Sequence, residues 1–146
     1  MNNNTRFGFT PRKKQKTFFF GSLTALTLLM FVTDVKAENL RFELSFPRDS
    51  IHTVVSNGIV RGNYHHHYFS AQAGQAISIA VTSPENNAVF SLLYMRNGNW
   101  REQTYNQKAW SGNLPPSDNN RYIISVGPTR GNTNYNLFVG ISLPNF

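Results

Sequence analysis

Tyr64-His65-His66-His67-Tyr68 gathers three of the four histidines of this 146-residue chain into one short run, with His52 the fourth. Imidazole can ligate a divalent metal or carry protons near neutral pH. Side chains alternate along an extended strand, so His65 and His67 share a face with Phe69 and Ala71, while His66 points away with Tyr64 and Tyr68. Ligands at i and i+2 hold a metal only if a carboxylate or a third imidazole joins them from elsewhere. The plainer reading is a tyrosine- and histidine-rich strand near a sheet edge, and no metal or other cofactor is expected. The chain has no cysteine, which rules out disulfides, thiolate metal sites and a lipid anchor on cysteine. It also lacks a glycine-flanked nucleophilic serine, a helical pair of metal-binding histidines, a phosphate-cradling loop and a dinucleotide fingerprint. Asp49, Glu85, Glu102 and Asp118 are scattered over turns or solvent-facing positions. A carboxylate pair could act only if folding fixed two of them across a cleft, which spacing alone does not decide. The expectation is therefore a protein that binds rather than catalyses.

Two segments have the residue types of a contact surface. One is the turn Trp110-Ser111-Gly112, and the other runs from Arg130-Gly131 through Asn132-Thr133-Asn134 to Tyr135. Arginine brings directional donors and aromatic rings bring large contact area, which makes both good interface anchors. Trp110, Ser111, Gly112, Arg130, Gly131 and Tyr135 are the candidate partner-binding residues. The competing reading places Trp110 in the core and leaves Arg130 as an ordinary solvated charge.

The elements that position these residues begin with a leader. Arg12-Lys13-Lys14-Gln15-Lys16 is a basic start, Phe18 to Val32 is largely apolar, and Val35-Lys36-Ala37 places small residues where a signal peptidase reads. A cleaved signal peptide over residues 1–37 is expected, and the apolar stretch is short for an uncleaved anchor of about 20 residues. The remaining chain, 38–146, is long enough for one domain. Arg6, Arg12, Lys13, Lys14, Lys16, Lys36 and Asp34 all fall in the leader, so eight basic and six acidic groups remain, a net +2. The basic balance of the whole chain belongs mostly to export, which removes the main argument for nucleic acid as a partner.

Beyond the leader, apolar and polar residues alternate with period two, and no dozen residues show helical spacing. Leu40, Phe42, Leu44 and Phe46 share a face up to Pro47. A strand from His52 to about Arg61 is expected to bulge or bend at Asn57-Gly58. Tyr64 to Gln72 leads to a turn at Ala73-Gly74-Gln75, and Ile77, Ile79 and Val81 face one way. Phe90, Leu92 and Tyr94 align in Ala88 to Arg96, Asn97-Gly98-Asn99 is a hairpin turn, and Trp100 to Tyr105 returns. Pro115-Pro116-Ser117-Asp118 reads as a loop. Tyr122, Ile124 and Val126 align, as do Tyr135, Leu137, Val139 and Ile141, joined by a loop over residues 127–133. About eight short strands without crossover helices imply an all-β, two-sheet antiparallel β-sandwich or jelly roll.

Tyr68-Phe69-Ser70-Ala71-Gln72-Ala73-Gly74-Gln75-Ala76-Ile77-Ser78-Ile79, then Ser111-Gly112-Asn113-Leu114-Pro115, Tyr122 to Val126 and Asn134 to Val139 together resemble the periplasmic inhibitors of invertebrate-type and goose-type lysozymes. The same order is more loosely similar to bacterial pre-peptidase C-terminal domains. The resemblance implies a periplasmic or secreted sandwich that plugs a lysozyme cleft with protruding loops, Ser111-Gly112 and Arg130-Gly131…Tyr135 matching family turns. Pro115 stands where the inhibitors' Ser-Gly-x-x-Tyr pattern has tyrosine. A net +2 provides no acidic surface for a strongly basic chicken-type enzyme. The alternative expectation is a pre-peptidase-like or carbohydrate-binding module that recognises cell-envelope glycans through Trp100, Tyr105 and Trp110. The sequence leaves open whether the protein is a monomer or a homodimer.

Overall fold

The computed structural model describes residues 39–47 and 50–143. The leader expected over residues 1–37 lies outside the described residues, as does Asp49. Among the described residues nine strands are formed: β1 (Asn39–Glu43), β2 (His52–Ile59), β3 (Tyr64–Ser70), β4 (Ala76–Thr82), β5 (Ala88–Arg96), β6 (Asn99–Gln107), β7 (Ala109–Asn113), β8 (Arg121–Pro128) and β9 (Thr133–Ile141). A 3₁₀ turn at Asp118–Asn120 precedes β8. The strands make two sheets, β1-β3-β8-β5-β6 and β2-β9-β4-β7. This is the expected all-β sandwich.

The period-two pattern chose the buried faces. Phe69, Phe90, Leu92, Tyr122, Ile124 and Val126 from the five-stranded sheet are buried, as are Ile77, Ile79, Val81, Tyr135, Leu137 and Val139 from the four-stranded sheet. They form one cluster, with Phe69 stacked on Tyr122 at 5.3 Å between ring centres. Burying one such aliphatic or aromatic side chain stabilises the fold by about 1.5–3 kcal/mol.

Four local expectations change. The β1–β3 pair is parallel, with Asn39 opposite Tyr64 and Glu43 opposite Tyr68, whereas the other pairings are antiparallel. β2 runs through Asn57-Gly58 without a bulge, its register to β9 unbroken from His52 to Ile59. Gly58 instead makes room for a neighbour, since a Cβ there would meet the Asn134 side-chain oxygen at 2.9 Å. The irregularity lies in the β5–β6 pair, where the register shifts between Phe90 and Leu93 and Asn106 takes φ 49°. Finally, Trp110-Ser111-Gly112 is no turn but the middle of edge strand β7, hydrogen-bonded to β4.

Candidate functional site

The turn between β8 and β9 carries Arg130 and Gly131, both exposed, with Gly131 at φ 57°. That conformation costs glycine little, and it folds the hairpin back on itself. Two further turns meet it, the β2–β3 turn over residues 60–63 and the β4–β5 turn over residues 83–87. Polar contacts lace the three together. The Arg61 backbone N–H donates to the Asn132 side-chain oxygen at 2.9 Å, and the Asn87 amide donates to the Arg130 carbonyl at 2.9 Å. The Arg130 guanidinium donates to the Glu85 carbonyl at 3.2 Å, and the Thr129 N–H to the Asn87 carbonyl at 2.8 Å. Ser83 anchors its own turn by accepting from the Asn87 and Ala88 N–H groups at 2.9 and 3.0 Å. A depression of about 420 Å³ lies among these turns, lined by Val60, Pro84, Glu85 and Asn132 among others. The surface there is preorganised and combines the cations Arg61 and Arg130 with the anion Glu85.

The other candidate residues are placed elsewhere. Ser111 is exposed on β7, its hydroxyl 2.9 Å from that of Ser78. Trp110 is half-buried against the core and lies over Gly112, where a Cβ would come within 2.6 Å of the ring. Ser111 pairs with Ser78 and so lies level with Gly140, whereas the Arg130 turn precedes Thr133 at the far end of β9. At about 3.3 Å per residue the two segments are separated by more than 20 Å along the sheet. They are not one patch. The aromatic residues considered for glycans also part company: Trp100 and Tyr105 are exposed on β6, and Trp110 belongs to the opposite sheet.

Tyr135 is the correction of consequence. It points inward and is 2% exposed, so it cannot meet a partner. Its alternation with Leu137 and Val139 dictates this, and its polar tip is satisfied from within. His65 Nδ1 lies 2.9 Å and His67 Nε2 2.7 Å from the Tyr135 hydroxyl. Phe42 stacks on His67 at 5.1 Å and 19°. His65 and His67 therefore bridge the sheets through a tyrosine. The phenol has one proton to donate, so one ring must accept it and the other must donate its own N–H. His67 Nδ1 is buried without a partner. Placing the His67 proton on Nε2 avoids an orphaned buried N–H, leaving His65 Nδ1 to accept from Tyr135. Burial disfavours the charged forms: His67 is lowered to about 4, His65 is lowered, and the Tyr135 phenol is raised. Among the described residues, no group of three or more His, Cys, Asp and Glu side chains is placed to hold a metal.

The sequence had the information for this cluster, because the parity that sends Phe69 inward also sends His65 and His67. It lacked the knowledge that Tyr135 would face them across the sandwich.

No protein-family model matches the chain, and no match is found among curated proteins. Solved structures do match. The chain is similar to PliG of Aeromonas hydrophila, a periplasmic lysozyme inhibitor of g-type lysozyme, with TM-score 0.60 and 18% identity, covering 73% of this chain and 99% of that one. PliG of Salmonella Typhimurium, likewise a periplasmic inhibitor of g-type lysozyme, aligns with TM-score 0.58 and 16% identity over 72% of this chain and 100% of its own. The Yersinia pseudotuberculosis-derived mitogen aligns with TM-score 0.53 and 13% identity over 65% of this chain and 89% of its own. One sandwich thus carries different functions, and the choice falls to the site. This chain has the fold of the PliG inhibitors of g-type lysozyme.

Proposed function

We propose that the protein is exported and, without catalysing a reaction, binds a lysozyme, of goose or invertebrate type, and blocks its substrate cleft with the turns around Arg130 and Gly131. The leader pattern of residues 12–37 supports export to the periplasm or beyond. The observation that carries the reading is the laced cluster of three turns, which holds Arg130 at an exposed rim. Rigid turns bind with little loss of conformational freedom on association. Most glycoside hydrolases keep a carboxylate pair in the cleft, and a guanidinium matches a carboxylate in charge and in donor geometry. The Trp110–Gly112 strand is a second candidate contact, remote from the first.

The test titrates the purified protein against goose-, invertebrate- and chicken-type lysozymes and follows lysis of bacterial walls. Stoichiometric inhibition of a goose- or invertebrate-type enzyme is expected, lost or weakened in Arg130→Ala. Full lysis by all three at protein excess refutes the reading.

A further inference from the structure

The outer face of the five-stranded sheet contains a cleft of about 380 Å³ that adjoins the loop cluster at Thr129 and extends away from it toward β6. Its floor combines small residues with the aliphatic Val89 and Leu93. Ser125 and Gly127 of β8 and Ser91 of β5 project outward next to one another, as the register of Ser91 with Ser125 and Val89 with Gly127 requires. Its walls are tall. Tyr64 and His66 rise from β3 on one side, and Glu102, Tyr105 and Asn106 from β6 on the other. Tyr64 lies across Gly127, where a Cβ would come within 2.7 Å of its ring, so the glycine allows the wall to lean over the floor. The β5–β6 irregularity shapes the opposite side, with the Asn106 N–H held by the Ser91 hydroxyl at 3.2 Å.

The rings forming these walls contribute little to the fold. Tyr64 is 51% and Tyr105 61% exposed, high values for aromatic side chains flanking a concavity. Between them are hydroxyl, amide and imidazole groups with one formal charge, the Glu102 carboxylate. His66 is lowered from its ordinary value by burial and by Arg41, so its ring is neutral, and because Nδ1 is buried it presents Nε2 alone to the cleft. An anionic ligand would face Glu102 with no cation lining the cleft. A wholly apolar ligand would cover the Ser125 hydroxyl without giving it a partner. Flat apolar surfaces beside neutral donors and acceptors suit a sugar ring, which has C–H faces and hydroxyl edges.

We propose that this cleft binds an uncharged oligosaccharide, with Tyr64 and Tyr105 as the ring platforms and Ser91, Ser125, His66 and Glu102 as hydrogen-bonding partners. The proposal goes beyond lysozyme inhibition and does not depend on it. The volume is near the lower end of the range for ligand pockets, about 300–1,000 Å³, and so suits a short saccharide segment.

The test is an NMR titration of the isotope-labelled protein with three probes: a tetramer of N-acetylglucosamine, a tetramer of glucose, and a tetramer of galacturonic acid. At least one neutral tetramer is expected to shift the amide signals of Ser91, Ser125 and Tyr105, and the anionic tetramer is expected to leave them in place. Tyr64→Ala and Tyr105→Ala are expected to weaken binding about tenfold each while leaving the thermal midpoint near that of the parent, since both rings are exposed. Ser125→Tyr, which fills the floor, is expected to abolish it. Silence with both neutral tetramers, binding of the anionic tetramer alone, or affinity unchanged in Tyr64→Ala and Tyr105→Ala would overturn the assignment. Lysozyme is absent from this titration, so the outcome is independent of the inhibition assay.

Discussion

Acidification should destabilise this domain by an amount that His67 largely sets. His67 is fully buried, hydrogen-bonded to Tyr135, and lowered from 6.5 to about 4 by burial first and by His65 and His66 second. In the unfolded chain its ring protonates near pH 6.5, and in the folded state only near pH 4. Between those values the unfolded state holds more protons, so stability is complete above pH 6.5 and is lost as pH falls toward 4. Linkage for this single site removes about 2–3 kcal/mol between pH 7.5 and 4.5. His65 is lowered for the same first reason and acts in the same direction. The ion pair seen among the described residues, Arg121 with Glu43 at 2.7 Å, is on the surface and contributes little to the change. Urea unfolding followed by tryptophan fluorescence measures the effect. With a slope of roughly 1–3 kcal/mol per molar, the midpoint should fall by about 1–3 M between the two pH values. His67→Phe keeps an aromatic ring beside Phe42 and removes the titrating group, so it should flatten most of the dependence. An unchanged midpoint at pH 4.5, or an equally steep loss in His67→Phe, would refute the reasoning.

Tyr135→Phe keeps the ring and removes the hydroxyl shared by two buried imidazoles, and should cost about 1–3 kcal/mol in urea unfolding. A loss below about 0.5 kcal/mol would mean that the bridge between the sheets is unimportant. Ser83→Ala deletes the acceptor for the Asn87 and Ala88 N–H groups and should cost about 1–2 kcal/mol. It should also weaken lysozyme binding if the laced turns are the contact surface, which calorimetry can measure. Arg130→Ala should change unfolding by less than about 1 kcal/mol, since it loses only the exposed bond to the Glu85 carbonyl, and raise the lysozyme Kd by roughly 30-fold, about 2 kcal/mol. Leu137→Ala, at a fully buried position between the sheets, should cost about 2–5 kcal/mol by thermal unfolding.

Much of the fold was legible because alternation is a local property. Each strand states which of its faces is apolar, and Ile77, Ile79 and Val81, Tyr122, Ile124 and Val126, and Leu137 and Val139 all point where their parity sends them. The Asn97-Gly98 hairpin was equally local, since both residues take positive φ. Partners across the sandwich are a different matter. Nothing in Tyr64 to Tyr68 names the residue that will face His65 and His67, and nothing in Thr133 to Ile141 says that the Tyr135 hydroxyl will be answered from within. Alternation sends Tyr135 inward while its residue type suits a contact surface, and packing across the sandwich decides between the two. Strand neighbours not adjacent in sequence were likewise invisible, among them the parallel β1–β3 pair and the β7 edge that absorbed Trp110-Ser111-Gly112. The amino-acid order by itself determined the class of fold and the inward face of each strand, because period two is written residue by residue. The tertiary structure alone decided which turns meet around Arg130 and which side chains wall the cleft beside Tyr64, because both depend on strand order and register between segments far apart in the chain.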